Sequence, residues 1–264
     1  MKKLGIFIFN LVIKCSHDQV FDRAAGLTLR VLLAFFPFLI FLMTLMGFLE
    51  IAVEPILAAL YDTFPAEISK MLATFIMEIS ETRSGGLLSA ALFFSVYNTL
   101  NGFRAVVRCI NFAYGIRERR GGLSQIAVSL MLMLIFSAAL IFMLAISVFG
   151  KQYSAFWVFA KQGLAFVVLF LLTSLIYKLA CEKSLGARYI FHGAAFTVTA
   201  WLIIGTTFGY FTRSFTRFPM IYGSIAGVFL LIIWLNAVGV VLLIGNEINV
   251  MVGEFSEGVG NGDK

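Results

Sequence analysis

The chain has little charge. Only 13% of its 264 residues are Asp, Glu, Lys or Arg, and 61% are apolar. A soluble domain carries about 25% charged residues. This chain therefore cannot cover itself with polar surface, and lipid must be part of its solvent. It is also short of catalytic chemistry. Its two histidines, His17 and His192, stand apart, and its three cysteines, Cys15, Cys109 and Cys181, show no regular spacing. That argues against a disulfide framework and a zinc site. No Ser-His-Asp grouping and no phosphate-binding glycine loop occurs. No cofactor, no metal and no catalytic residue is expected. The two-residue alternation of barrel strands is missing too. Helices are left as the structure that satisfies its own backbone inside lipid.

The apolar runs predict an all-α fold, a polytopic transmembrane bundle of six spans. They fall at about 24–50, 86–115, 123–149, 156–179, 189–211 and 222–249, within one domain at 24–250. A span needs about 20 apolar residues. The run at 4–13 is shorter, has no cleavage site after it, and predicts an interfacial helix within a cytosolic segment, 1–23. Pro37 should kink the first span. In 51–83, apolar Ile56, Leu60, Phe64, Ile68, Leu72, Phe75 and Ile79 recur at helical spacing among acids. This predicts two short amphipathic helices lying on the outer membrane surface, broken near Pro65. The polar tail at 251–264 is expected to be disordered.

Lysine and arginine set the orientation. Twelve lie in the N-terminal segment, the second and fourth inter-span loops and the tail; six lie on the other side; Arg30 and Arg104 sit within spans. The richer side is the cytosol, so both ends are expected inside a bacterial cytoplasmic membrane. The net charge of +6 is read as orientation against an anionic leaflet, not as nucleic-acid binding.

Ionisable groups within a span need partners or water. Tyr97, Asn101, Arg104, Arg108 and Asn111 recur every three or four residues, within an arc of roughly 80° on one helix face. Such a stripe is expected to face protein or a wet cavity. Asn236 and Glu247 lie eleven residues apart on the last span, and Arg30 lies in the first. Arg30, Arg104, Arg108 and Glu247 are all expected toward the cytosolic leaflet. The bland reading is that Glu247 pairs with an arginine and the asparagines bridge helices. The functional reading is a cavity with surplus positive charge for an anionic, lipid-like substrate, with Glu247 as a proton carrier. Gly205 with Gly209, and Gly223 with Gly227, are small-xxx-small pairs for close helix packing, and Gly193 should act likewise.

Several segments resemble the YihY/BrkB family of bacterial membrane proteins. They are 24–37, 101–120, 193–211 and 222–249. Asn111, Tyr114, Gly115, Glu118 and Arg120 form one motif; Tyr222, Gly223, Ser224, Trp234, Gly245, Glu247 and Asn249 form the other. The resemblance implies a six-span inner-membrane protein. It carries three labels: serum resistance, movement of lipids or lipid-linked glycans, and an older tRNA-processing ribonuclease BN. Arg30 departs from the family pattern. The expected function is a transporter or translocase of an anionic or amphipathic substrate. The alternative is a non-catalytic scaffold in envelope maintenance, with 51–83 as its contact surface. A nuclease is the least expected. Membrane lipids are the expected partners; association with further copies is left open.

Overall fold

The computed structural model describes residues 2–48, 52–63, 66–81, 85–116, 121–149, 155–183, 186–214 and 225–260. Among them the chain is helical, with no strand. The helices are α1 (Lys2–His17), α2 (Val20–Phe48), α3 (Glu54–Thr63), α4 (Ala66–Glu81), α5 (Gly85–Ala113), α6 (Gly122–Phe149), α7 (Ala155–Ala180), α8 (Ala187–Ser214) and α9 (Ile225–Gly260). The chain is a polytopic helical bundle and an integral membrane protein. Among the described residues five helices, α2, α6, α7, α8 and α9, are long and apolar enough to cross a membrane. The expectation was six. The difference is α5, where Asn98, Asn101, Arg104, Arg108 and Asn111 dilute the apolar run.

Contacts sort the helix ends into two layers. Arg23 near the start of α2 meets Phe112 near the end of α5. Further along, Ala34 meets Gly102. The two helices are therefore antiparallel, and α5 runs alongside a spanning helix. Asn111 joins the ends of α5 and α7, and Gly193 near the start of α8 bonds Asn249 in α9. Helix α1 packs at this same end, with Leu11 and Cys15 against Val20, Ala24 and Leu243. This is the α1 end of the bundle. At the other end, α3 and α4 bury Ile56 and Ile76 against Phe38, Leu42, Met43 and Met46 of α2. Ile68 and Leu72 pack against Leu230, Leu231 and Leu235 of α9.

The two amphipathic helices expected in 51–83 are thus present as α3 and α4. They cap the bundle with their apolar faces instead of resting on lipid alone. Phe64 and Pro65 lie outside the described residues. Helix α2 is continuous across Pro37. Helix α9 continues to Gly260, so much of the tail expected to be disordered is helical; Asp263 and Lys264 lie outside the described residues. Of the described part of α9, 245–251 is buried all round. That burial explains why its apolar run ends in Gly245-Asn246-Glu247-Ile248-Asn249 without a polar outer face.

Candidate functional site

The two seams of α9 and α5 use polar groups differently. On the α8–α9 seam the backbones touch. A Cβ on Gly193 would collide with the Gly245 carbonyl and the Asn249 amide oxygen, and one on Gly245 with the Thr197 hydroxyl and, at 2.6 Å, the Tyr177 hydroxyl. The close approach lets the Gly193 N–H donate to Asn249 Oδ1 at 2.7 Å. The Tyr177 hydroxyl lies 2.8 Å from Thr197 Oγ1 and donates to the Leu242 carbonyl at 2.7 Å. Gly193 packs helices as expected. Gly245 does the same work and was not singled out by spacing, because its partner glycine is on another helix. Gly205 and Gly209 behave differently: a Cβ at either meets nothing within 4 Å. Helix α8 turns Ile190, Gly193, Thr197, Trp201 and Phe208 inward, and at 100° per residue Gly205 and Gly209 lie roughly 70° and 110° round from that face. Gly223 lies outside the described residues, and Gly227 is buried near the start of α9.

Asn111 is a clamp. It is 1% exposed, donates to the carbonyls of Val107 and Ala180, and accepts from the Glu182 N–H at 2.8 Å. Its amide thereby caps the last turn of α7. The stripe expected to face protein or a wet cavity does not share one environment: Asn111 is buried at the edge of the arc nearest α7, Asn101 and Arg104 are half-buried, and Tyr97 and Arg108 are exposed. Arg104 donates through Nη1 to Asn101 Oδ1 at 3.2 Å. Its Nε is enclosed and has no hydrogen-bond partner among the described residues.

The outward face carries a cationic seam. Arg30 is exposed on α2. Arg23 lies with its guanidinium 3.0 Å from the centre of the Phe112 ring and donates through Nε to the Asp18 carbonyl. Half-buried Cys109 feels the charges of Arg23, Arg30 and Arg108, and no carboxylate is among the charges acting on it. From the antiparallel register of α2 and α5, the positions of Arg23, Arg30, Arg104 and Arg108 spread over about 12 Å along the seam. Arg23 was read only as an orienting charge; the aromatic ring under it comes from α5, so no local pattern could have disclosed it.

Glu247 stands apart from this seam. It is 2% exposed. Of the two readings of Glu247, pairing with an arginine has no ion pair behind it among the described residues, and its Oε2 is enclosed without a hydrogen-bond partner. The charges that bear on it are those of Asp18, Lys14, Glu254 and Arg23. Lys14 Nζ lies 3.4 Å from Glu254 Oε1. Asn246, next in the chain, donates to the Ile110 carbonyl and leaves Oδ1 unpartnered. Asn236 lies on the far flank of α2. Its amide donates to Thr28 Oγ1 at 3.3 Å. Both line a groove of about 320 Å³ with Ala25, Leu29, Leu32, Ile232 and Ile233.

Among the described residues no group of three His, Cys, Asp or Glu could hold a metal ion. The three cysteines are free thiols at the α1 end. Burial, then the nearby Glu247, pushes the Cys15 thiol up to about 11.

A family model described as virulence factor BrkB matches residues 11–263. The ribonuclease-like protein YfkH of Bacillus subtilis (strain 168) is 28% identical over 260 residues, covering 93% of this chain and 94% of that protein. No solved structure matches the chain.

Proposed function

The chain belongs to the virulence factor BrkB family, and on that premise we propose that it is a translocase for an anionic, amphipathic substrate in a bacterial cytoplasmic membrane. The observation that carries this reading is the cationic seam between α2 and α5. Arginines at lipid depth are costly unless an anion or water meets them. Arg30 is exposed on α2, and Arg104 keeps an enclosed Nε unbonded among the described residues. A phosphate oxygen supplies the missing acceptor, and a guanidinium fork fits it well. The seam opens sideways, so a lipid-like substrate can place its head group there while its chains stay in the membrane. Exposed Phe93, Phe94 and Tyr97 line α5 further from the α1 end and suit acyl chains.

The charge count favours putting the α1 end and both termini in the cytosol. Helix α5 then acts as the sixth crossing, since it lies antiparallel along α2. The relative's name speaks of a ribonuclease. A metal-dependent nuclease needs clustered carboxylates or histidines, and the described residues offer none; the reading here is of a protein without an enzymatic step.

The test is reconstitution into vesicles with fluorescent phospholipids and dithionite quenching of the outer leaflet. Faster exchange of phosphatidylglycerol than of phosphatidylcholine, slowed in Arg30→Ala, Arg104→Ala and Arg108→Ala, is the expected result. Exchange no faster than in empty vesicles, or untouched by all three substitutions, would overturn the proposal.

A further inference from the structure

Beyond that reading, we propose that Glu247 is a proton-binding site, reached from the α1 end when α1 lifts off the face of α9. The site has two walls. On α9, consecutive Asn246 and Glu247 are both buried, and each keeps an enclosed oxygen with no hydrogen-bond partner. A buried carboxyl without a cation to hold it is costly when charged, and a bound proton removes that charge. The protonated acid also gains an O–H donor that a carboxylate lacks.

The other wall is α1. Glu247 and Glu254 are seven residues apart, so they share one face of α9 to within about 20°. Helix α1 lies against that face through Cys15, which is buried beside Leu243. The groups that act on Glu247 are Lys14 and Asp18 from this end of the chain, Arg23 from α2, and Glu254 from its own helix. Cys15 and Tyr114 feel its charge in return. Lys14, on the strap itself, pairs with exposed Glu254 instead of Glu247, so this contact ties α1 to α9 without an ion pair to the buried acid.

The strap meets the protein along one face only. Leu11 and Cys15 pack against α2 and α9, while Ile6, Ile8, Phe9, Val12 and Ile13 point away from the bundle. It joins α2 through Asp18 and Gln19, and Gln19 has a left-handed backbone, φ 51°. That break lets α1 pivot without unwinding α2. Opening would admit a proton from water to the Glu247 carboxylate, and closing would seal the neutral acid. No other reactant is needed.

The experiment uses the full-length protein in vesicles and dicyclohexylcarbodiimide, an apolar reagent that modifies protonated carboxyls. Adducts are mapped by peptide mass. The expected result is an adduct at Glu247 that falls as the pH is raised and is absent in Glu247→Gln. Lys14→Ala and Glu254→Gln, which free the strap, should raise that labelling several-fold. They should also raise maleimide labelling of Cys15 in a background lacking Cys109 and Cys181; at neutral pH this thiol is slow to react while buried. No adduct at Glu247 at any pH, or Cys15 labelling unchanged by both strap variants, overturns the proposal. If Glu247→Gln does not fold, the pH series on the wild-type chain decides. The readouts are covalent labels, so they stand whether or not the arginine seam moves lipid.

Discussion

The α8–α9 seam and the α2–α5 seam both place polar groups inside a membrane protein, and they resolve the cost in opposite ways. On the first, glycine removes the side chain, the backbones meet, and the Gly193 amide, Tyr177 hydroxyl and Leu242 carbonyl satisfy one another or a neighbouring side chain. On the second, Gly102 meets Ala34 and the polar groups lie toward the outer flank, where Arg104 keeps an enclosed Nε without a hydrogen-bond partner among the described residues. The lesson is that polarity in a span is a signal of function only when the partners run out. Asn111 and Arg104 lie seven residues apart on α5, yet one is saturated by backbone and the other has an unbonded nitrogen.

The contrast breaks most visibly at Gly245. Gly245→Val places atoms against the Thr197 and Tyr177 hydroxyls and against the Gly193 carbonyl, a backbone group that cannot yield. A loss of about 3 kcal/mol or more is expected, read as a collapse of the thermal midpoint in detergent. A stable variant would mean that the seam is looser than described. Asn111→Ala comes next. It removes three hydrogen bonds and strands the Ala180 carbonyl, for about 2 kcal/mol, checked by the same melt.

On the other seam the sign of the comparison reverses. Arg30→Ala and Arg108→Ala should leave the melting midpoint in place and weaken binding of phosphatidylglycerol vesicles about five-fold each, since one cation near an anionic surface is worth about 1 kcal/mol. Native mass spectrometry of retained lipid offers a second check. An unstable variant with unchanged lipid binding would assign these arginines to structure. Tyr177→Phe is milder, about 1 kcal/mol, because it loses two hydrogen bonds between spans, each worth about 0.6 kcal/mol on average. Gly205→Ala is the smallest. Nothing lies within 4 Å of the added methyl, so a midpoint unchanged or slightly raised is expected, and a clear loss would restore Gly205 as a packing residue.

Much of the fold was legible beforehand. The bounds of α6, α7 and α8 follow the apolar runs within three residues at each end, because a helix in lipid must be apolar for its whole length. The pair α3 and α4 was legible from a helical repeat of apolar residues among acids. The candidate sites were legible only in part. Arg30, Arg104, Arg108 and Glu247 were conspicuous as charges, but their division into an arginine seam and a separate buried acid was not. That division depends on which neighbour each helix face meets. Gly205 and Gly209 misled for the same reason: spacing shows which residues share a face, not where the face is turned.

The sequence by itself determined that this chain is helical and membrane-bound, and which of its residues are too polar to sit in lipid unaided. Those are matters of composition and periodicity, which each segment carries alone. Only the tertiary structure decided that the Asn111 amide and the Asn249 Oδ1 find partners, that Arg104 Nε and Glu247 Oε2 do not, and that α1 packs against α9 near the buried acid. Hydrogen-bond partners more than 50 residues away, such as Ala180 for Asn111 and Gly193 for Asn249, are set by how helices stack, and no local pattern records that.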